Sequence, residues 1–308
     1  MTAPALRVLL VRYHDSGNVN TRLPASLNRR QGWLPPLGIA HLASALERDD
    51  HVVRILDAPA QNLTARDCRA IMAEFRPDLV GITAMTPTFA GALEAAGLAR
   101  SVGAKVIIGG VHTAIFPAET LASADVDFVA LGEAEESLRT LCGSLARGWT
   151  PDGAVIPGIG YRYQDRLVLG EPVLIQNLDT LPPPAFHLLD MALYSSIIGF
   201  TPVTTAITTR GCPYKCSFCF KTPSDKQFRT RSPVLVVDEL AYLARRFGIR
   251  YVMFYDDVLT LSRPHVTAIC EEILRRGLKI RWEAPTRVNV VDRELLGLMA
   301  RAGCHRLR

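Results

Sequence analysis

Three cysteines lie in the stretch Arg210-Gly-Cys212-Pro-Tyr-Lys-Cys216-Ser-Phe-Cys219-Phe220, at spacings of four and three residues and directly after a strand-like run. Three thiolates on one tight loop can hold an iron–sulfur cluster or contribute to a zinc site. A structural zinc ion needs a fourth ligand, whereas three cysteines on a four-iron cluster leave one iron open to a chelating molecule. The other cysteines are scattered without CxxC spacing: Cys68, Cys142, Cys270 and Cys304. The loop therefore favours a cluster with an open iron, and a structural zinc site is the alternative.

Composition sets the outer limits of the interpretation. At 308 residues the chain is long enough for two domains, and its 48% hydrophobic and 21% charged content are ordinary for a globular protein. No apolar run approaches the roughly 18 residues of a membrane span, and the N-terminus lacks the features of a secretion signal. Seven cysteines without framework spacing predict a reducing cytoplasm. The net charge of +5 includes arginines spread along the chain, which favours solvated faces over a nucleic-acid surface.

The first half of the chain alternates strand and helix patterns. Apolar strand runs begin at Leu6, Val52, Leu79, Lys105 and Phe128, with amphipathic segments between them. Short apolar strands joined by helices predict a parallel, doubly wound α/β sheet, and a flavodoxin-like strand order fits best. Residues 1–150 are therefore predicted to form the first domain.

Ligands of such a sheet bind outside the carboxyl ends of the strands. The loops there carry hydroxyls at Thr83, Thr86 and Thr88 and the adjacent glycines Gly109 and Gly110, but no GxGxxG or GxxxxGK[ST] motif. Small polar residues with an open backbone suit a flat, bulky ligand with amide side chains. The alternative is that the glycines only form a turn.

A hairpin and a proline run mark residues 151–202 as the predicted linker. Gly160 to Val168 alternates in polarity and turns at Gln164-Asp165, and Pro182-Pro-Pro184 is a stiff break. Residues 203–308 resume the strand–helix alternation after the cysteine loop, and a fourth strand would begin at Cys304. Three units and a stub cannot close a sheet, so the chain is expected to be an N-terminal fragment. A shorter fold complete at Arg308 is the alternative.

The CxxxCxxC spacing, with Phe218 just before the last cysteine, resembles the radical S-adenosylmethionine (SAM) superfamily. The resemblance implies that Cys212, Cys216 and Cys219 bind a 4Fe–4S cluster, whose open iron chelates the amino and carboxylate groups of SAM. It also implies that an electron from the cluster cleaves SAM to a 5′-deoxyadenosyl radical, and that the backbone at Phe218 meets the adenine. The fold that it implies for residues 203–308 is the first half of a TIM-like (β/α) barrel.

Further polar residues follow the later strands. In the resembled family Asp256 and Asp257 stand where side chains contact the methionine part of SAM, and Tyr255 would pack near it. Glu283 and Arg287 are further candidates, Arg287 as the partner of a carboxylate. Structural salt bridges are the alternative for each. Lys221 and Arg229 are expected to be solvated or to neutralise the charge of the cluster.

Four motifs resemble the cobalamin-binding domain that precedes many radical enzymes: Pro35-Pro-Leu-Gly-Ile-Ala40, Asp78-Leu-Val-Gly-Ile-Thr83, Ile108-Gly-Gly-Val-His112 and Leu131-Gly-Glu133. Matched by position, the cofactor-binding residues are Thr83, Met85, Thr86, Gly109, Gly110, Val111, His112, Gly132 and Glu133. The methionine-synthase-like DxHxxG motif is absent, because the corresponding loop reads Tyr13-His14-Asp15-Ser16-Gly17. His14 is therefore expected to face solvent and not to bind cobalt.

These resemblances imply an enzyme that uses SAM, a 4Fe–4S cluster and cobalamin to methylate an unactivated carbon of a small organic substrate. An electron donor such as flavodoxin or ferredoxin is the implied partner. Radical cyclisation or rearrangement without methyl transfer is the first alternative, and a non-catalytic cobalamin or iron–sulfur sensor is the second. A methylthiotransferase is disfavoured, because that class needs three further cysteines and only Cys68 and Cys142 precede Cys212.

Overall fold

The computed structural model describes residues 4–14, 32–196, 202–221 and 226–308. The chain divides into two compact units. The first unit comprises Met1–Arg30, Gly38–Ile175 and Pro182–Leu189, and the second comprises Gln31–Leu37, Gln176–Leu181 and Asp190–Arg308.

A seven-stranded sheet forms the centre of the first unit. Its strands are β1 (Arg7–Arg12), β2 (Val52–Asp57), β3 (Leu79–Thr83), β4 (Lys105–Gly109), β5 (Phe128–Ala130), β6 (Ile159–Tyr163) and β7 (Arg166–Leu169). They lie in the order β2-β1-β3-β4-β5-β6-β7, and the first five are parallel. The predicted flavodoxin-like order is confirmed, so the topological switch point lies between β1 and β3.

Helices cover both faces of this sheet. They are α1 (Leu37–Glu47), α2 (Ala65–Phe75), α3 (Phe89–Ser101), α4 (Val111–Ile115), α5 (Pro117–Leu121) and α6 (Glu135–Ala146). The core on one face includes Met72 of α2 and Ala95 of α3, and the core on the other includes Leu46 of α1 and Leu141 of α6. Because strands buried on both faces cannot alternate in polarity, their continuous apolar runs are explained by this double cover.

The predicted hairpin is confirmed, and it belongs to the sheet of the first unit. Gln164 and Asp165 have φ values of 45° and 61°, the left-handed pair of a tight two-residue hairpin turn. Strand β6 pairs antiparallel with β5, where Phe128 stands opposite Tyr161. The hairpin that the sequence assigned to a linker thus extends the sheet by two strands.

The second unit is built on a four-stranded parallel sheet and a small antiparallel pair. Its strands are β8 (Val203–Ala206), β9 (Thr209–Arg210), β10 (Arg229–Thr230), β11 (Tyr251–Phe254), β12 (Arg281–Ala284) and β13 (Cys304–Leu307). The large sheet has the order β13-β12-β11-β8, and β9 pairs with β10. Three helices connect the parallel strands: α7 (Pro233–Phe247), α8 (Arg263–Arg275) and α9 (Arg293–Arg301). The predicted succession of strand–helix units is confirmed, and the strand expected at Cys304 is β13.

Candidate cofactor sites

The loops after β3 and β4 are joined by backbone hydrogen bonds. The amide of Ala84 donates to the carbonyl of Gly109 at 2.8 Å, and the amide of His112 donates to the carbonyl of Ala84 at 3.3 Å. Gly110 has a φ of 109°, and a Cβ at this position would lie 2.4 Å from the Ala84 carbonyl oxygen. Only glycine fits there without strain. Residues 83–86 and 109–112 therefore form one structure, which we call the β3–β4 edge.

The β3–β4 edge presents apolar and hydroxyl side chains to solvent. Met85 is 55% exposed and Val111 is 52% exposed, and the side chains of Thr83 and Thr86 are exposed beside them. Large exposed apolar side chains at the carboxyl ends of parallel strands are typical of a ligand site. This surface fits the predicted flat ligand with a polar rim.

His112 supports this edge from beneath. It is 2% exposed, and its ring stacks on Phe89 with the ring centres 3.8 Å apart. Its Nδ1 lies 3.3 Å from the hydroxyl of Thr86. Burial of the ring lowers the pKa of His112, and the negative charge of Glu119 opposes this shift only in part. The lowered pKa favours the neutral imidazole. His112 thus packs in the interior of the β3–β4 edge, whereas Met85 and Val111 lie on the solvent-exposed surface of that edge.

Gly132 and Glu133 contact a segment of the chain that follows the hairpin. Gly132 forms a bridge with Val173, and a Cβ at Gly132 would lie 3.0 Å from Pro172. The Glu133 carboxylate accepts a hydrogen bond from the amide of Ile175 at 2.9 Å. Both residues, predicted to lie beside the cofactor, hold residues 172–175 in place.

His14 does not face solvent as predicted. It is half-buried, and its Nε2 contacts the carbonyl oxygen of Leu63. Loop packing that the sequence pattern does not reveal accounts for the difference. The neighbouring Asp15-Ser16-Gly17 lies outside the described residues.

Strands β9 and β10 close the base of the cysteine loop. Cys212 is buried, Cys216 is half-buried and Cys219 is exposed, and the amide of Cys219 donates to the carbonyl of Cys216 at 3.1 Å. In the described part of the chain no three His, Cys, Asp or Glu side chains are arranged around one metal position. The cysteines of a four-iron cluster bind different irons, so their sulfurs do not need to meet at one point.

Two cations lie beside this loop. A terminal nitrogen of Arg287 is 3.4 Å from the sulfur of Cys216, and the guanidinium lies over the Tyr214 ring, 4.1 Å from its centre. Lys221 is bound to Asp257 at 2.7 Å, and its side chain is only 13% exposed. Burial opposes the charge of Lys221, but the bond to Asp257 and the nearby cysteines give its pKa a net rise. The solvated alternative for Lys221 is wrong, because its ammonium group pairs with Asp257 in a mostly buried position. Its pairing with the charge of a cluster stays a prediction.

Asp256 is the centre of a buried hydrogen-bond network. Its carboxylate accepts from the amide of Thr208 at 3.1 Å, the hydroxyl of Thr208 at 2.7 Å and the hydroxyl of Thr209 at 2.6 Å. The Nε2 of His265 lies 3.1 Å from the Thr208 hydroxyl. Burial raises the pKa of Asp256, while these hydrogen bonds lower it. This network favours the structural alternative for Asp256 over a direct contact with SAM.

The four remaining residues predicted to lie near SAM or the cluster range from exposed to buried. Phe218 is 91% exposed. Glu283 is buried and accepts from the Tyr251 hydroxyl at 2.7 Å, so it has a structural partner. Tyr255 is 44% exposed, whereas Arg229 is 9% exposed and is not solvated as expected. Sequence reasoning did not single out Thr208, Thr209 or His265; the threonine-rich strand before the cysteines was the available signal.

Comparison with known protein families identifies two domains. A model described as the B12 binding domain matches residues 26–142. A model described as the radical SAM superfamily matches residues 206–308, which include the three cysteines of the loop. The described residues contain no helix that is long and apolar enough to cross a membrane.

Two relatives match most of the chain. An uncharacterized methyltransferase of Pyrococcus horikoshii is 36% identical over 277 residues, which are 88% of this chain and 59% of that protein. An anaerobic magnesium-protoporphyrin IX monomethyl ester cyclase of Rubrivivax gelatinosus is 30% identical over 281 residues, covering 88% of this chain and 50% of the cyclase. The chain thus spans between half and three fifths of the length of these relatives.

The fold is shared with a solved cobalamin-dependent SAM radical enzyme. The structure of OxsB with aqua-cobalamin and SAM bound superposes with a TM-score of 0.80 at 19% identity. The superposition covers 98% of this chain and 43% of OxsB. At this identity the likeness establishes the fold.

Proposed function

We propose that this chain, which belongs to the B12-binding radical SAM proteins, binds cobalamin in its first unit and SAM on a 4Fe–4S cluster in its second unit. The reaction we propose is methylation of an unactivated carbon of a small organic substrate. One observation carries the proposal: a B12-binding match and a radical SAM match with an intact CxxxCxxC loop occur in the same chain. The methyltransferase of Pyrococcus horikoshii supports the choice of reaction.

In the first unit we assign cobalamin to the β3–β4 edge. The exposed Met85 and Val111 would pack on the large ring, and Thr83 and Thr86 would bind its amide groups. The predicted cofactor residues Gly109 and Gly110 leave the backbone uncovered for close approach. His112 would keep this surface in shape. Gly132 and Glu133 would border the site through the segment that they hold.

In the second unit we assign the cluster to Cys212, Cys216 and Cys219. Arg287, which lies 3.4 Å from the Cys216 sulfur, would donate a hydrogen bond to a cluster-bound Cys216, and Lys221 would add a positive charge near the loop. The exposed Phe218 leaves its backbone open to the adenine of SAM. Asp256 would act indirectly, by fixing the strand that leads into the loop.

The cofactors supply the reactive chemistry: when bound, the cluster and SAM provide a carbon-centred radical, and cobalamin provides the methyl group. The chain contributes binding, orientation and charge. A reduced flavodoxin or ferredoxin would deliver electrons.

A cytoplasmic location is supported by the seven cysteines, which all lie in the described residues and form no disulfide.

Anaerobic reconstitution of the protein tests this function without a known substrate. We expect about four irons and one cobalamin per chain, cleavage of SAM to methionine and 5′-deoxyadenosine under reducing conditions, and transfer of a labelled SAM methyl group to the bound cobalamin. A control in which Cys212, Cys216 and Cys219 are replaced by alanine should lose the iron. Stoichiometric zinc without iron uptake would refute the cluster, and iron with cobalamin but no SAM cleavage would favour a sensor.

Cyclisation is the second candidate, because the chain is 30% identical to the cyclase of Rubrivivax gelatinosus. The two reactions differ in the use of the methyl group. A cyclase would cleave SAM reductively without moving the labelled methyl group to cobalamin, whereas a methyltransferase would label it. The same experiment therefore separates them.

A further inference from the structure

A cavity of about 510 Å³ opens in the second unit at the amino ends of strands β11, β12 and β13. Its wall includes Arg250, which precedes β11, Arg281, which begins β12, and Gly303, which precedes β13. The cysteine loop follows the carboxyl end of β8 in the same parallel sheet. Because parallel strands have all their amino ends on one side, the cavity lies at the opposite end of the sheet from the cluster site. It is separate from the proposed radical chemistry.

The charged residues in the wall of this cavity are all basic. Arg250, Lys279, Arg281 and Arg301 line it, and no Asp or Glu does. None of these four side chains forms an ion pair or a side-chain hydrogen bond with another described residue. All four side chains are exposed, and four like charges around one concave surface create a positive potential that favours a bound anion.

The arginines in α8 and directly after it are paired. Arg275, the last residue of α8, and Arg276, which follows it, both bind Glu272 at 2.6 Å, and Arg276 also binds Asp238 at 2.5 Å. Arg263 at the start of α8 binds Asp292 at 2.5 Å. The C-terminal ends of α8 and α9 attract basic residues, and this effect accounts for Arg301 but not for Arg250 or Arg281, which lie on strands and loops. Neither an ion pair nor a helix end therefore accounts for Arg250 and Arg281 in the cavity wall.

The rest of the wall is apolar. Ile273, Leu278, Ile280 and Ala302 lie between the cations, and Leu274 is 41% exposed at the rim. A volume of this size suits a small molecule of drug-like dimensions. Arginine forks bind phosphate groups in a bidentate manner, and an apolar wall favours a ring or hydrocarbon part.

We propose that this cavity is a further ligand site in the second unit, which binds a phosphorylated small molecule with an apolar ring or chain. The phosphate would lie between Arg281 and Arg301, with Arg250 and Lys279 adding charge. The apolar part would lie against Leu278 and Ile280.

Isothermal titration calorimetry with 1-naphthyl phosphate tests this site, and 1-naphthol is the uncharged control. We expect saturable binding of 1-naphthyl phosphate and no binding of 1-naphthol. In the double variant Arg281→Gln/Arg301→Gln we expect an affinity reduced roughly tenfold or more, because this protein lacks two charged donors. The matched control is Arg245→Gln/Arg275→Gln, which removes the same charge outside the cavity and should bind as wild type does. Thermal melting of both double variants should establish that they are folded.

Two outcomes would overturn the proposal. One is the absence of saturable binding to the wild-type protein. The other is an equal loss of affinity in both double variants, which would mean that the probe responds to the net charge of the surface. Neither outcome bears on the cluster or on cobalamin, so the failure of this site would be distinct from failure of the proposed function.

Discussion

Two basic side chains beside the cysteine loop supply positive charge near the thiols. Arg287 reaches Cys216 directly and is held over the Tyr214 ring, whereas Lys221 is bound to Asp257. A donor to a cluster sulfur stabilises the more negative, reduced form of the cluster and raises its reduction potential. When a cluster is bound, Arg287 is therefore expected to raise its reduction potential, in addition to its predicted role as the partner of a carboxylate.

Replacement of Arg287 by Gln should lower the midpoint potential of the reconstituted cluster by on the order of 50 mV, because a charge-assisted hydrogen bond is lost. Arg287→Lys should restore part of the shift, since it keeps the charge. An EPR-monitored redox titration measures the change. Arg281→Gln at the other end of β12 is the matched control and should leave the potential unchanged; an equal shift there would show that only net charge matters.

Gly110 is a second residue at which one added methyl group should change the stability of the fold. Gly110→Ala should reduce the free energy of unfolding by roughly 1–3 kcal/mol or more, because the methyl group combines a strained φ with a contact to the Ala84 carbonyl. Gly103 has a similar φ of 85° but open space around its Cβ position, so Gly103→Ala should cost only about 1 kcal/mol. Urea unfolding compares the two. Equal losses would contradict the close contact between the loops.

At the scale of elements, buried polar side chains tie the cysteine loop to its neighbours. Asp256 follows β11, Thr208 and Thr209 lie between β8 and the loop, and His265 belongs to the first turn of α8. Their hydrogen bonds join three elements at the carboxyl end of the sheet. A buried network in which each member is satisfied fixes geometry more strictly than apolar packing does.

His265 makes the stability of this network dependent on pH. Burial lowers the pKa of His265 to about 4 from an ordinary value of 6.5, with Asp179 opposing the shift. The unfolded chain therefore gains a proton below pH 6.5 that the folded chain does not accept until about pH 4. The contribution of His265 to the free energy of unfolding is complete above pH 6.5. About 2 kcal/mol of this contribution should be lost at pH 5.

Urea unfolding at pH 7 and pH 5 measures this contribution in wild type and in His265→Gln. Glutamine can still donate to the Thr208 hydroxyl but does not titrate, so the variant should show a smaller loss between the two pH values. His187, which is exposed, provides the control variant His187→Gln. If His265→Gln and wild type lose the same stability, the protonation of His265 is not linked to unfolding.

At the scale of the whole molecule, each unit has its own sheet and its own candidate site. The Met85 and Val111 side chains belong to the first unit and the three cysteines to the second. The two cofactors are expected to bind independently.

A crossed experiment tests this independence. Val111→Asp should weaken cobalamin binding by roughly tenfold or more, because it places a charge against an apolar ring, and should leave the iron content unchanged. Cys216→Ala should lose iron and retain cobalamin. Absorption spectra and iron analysis measure both. Val155, which is 63% exposed elsewhere in the first unit, provides the control Val155→Asp; loss of cobalamin in this control would contradict the β3–β4 edge as the site.

The sequence by itself determined the strand order of the first unit, the strand–helix succession of the second, and the three cysteines of the loop. These features depend on local patterns, namely apolar runs, loop glycines and residue spacing, which are read along the chain. The tertiary structure decided what each polar side chain contacts: Asp256 is satisfied within the fold, Asp257 binds Lys221, Glu133 holds Ile175, and Arg287 reaches Cys216. It also gathered Arg250, Arg281 and Arg301 around one cavity. Such contacts join residues far apart in the chain, so their geometry depends on packing, which no local pattern encodes.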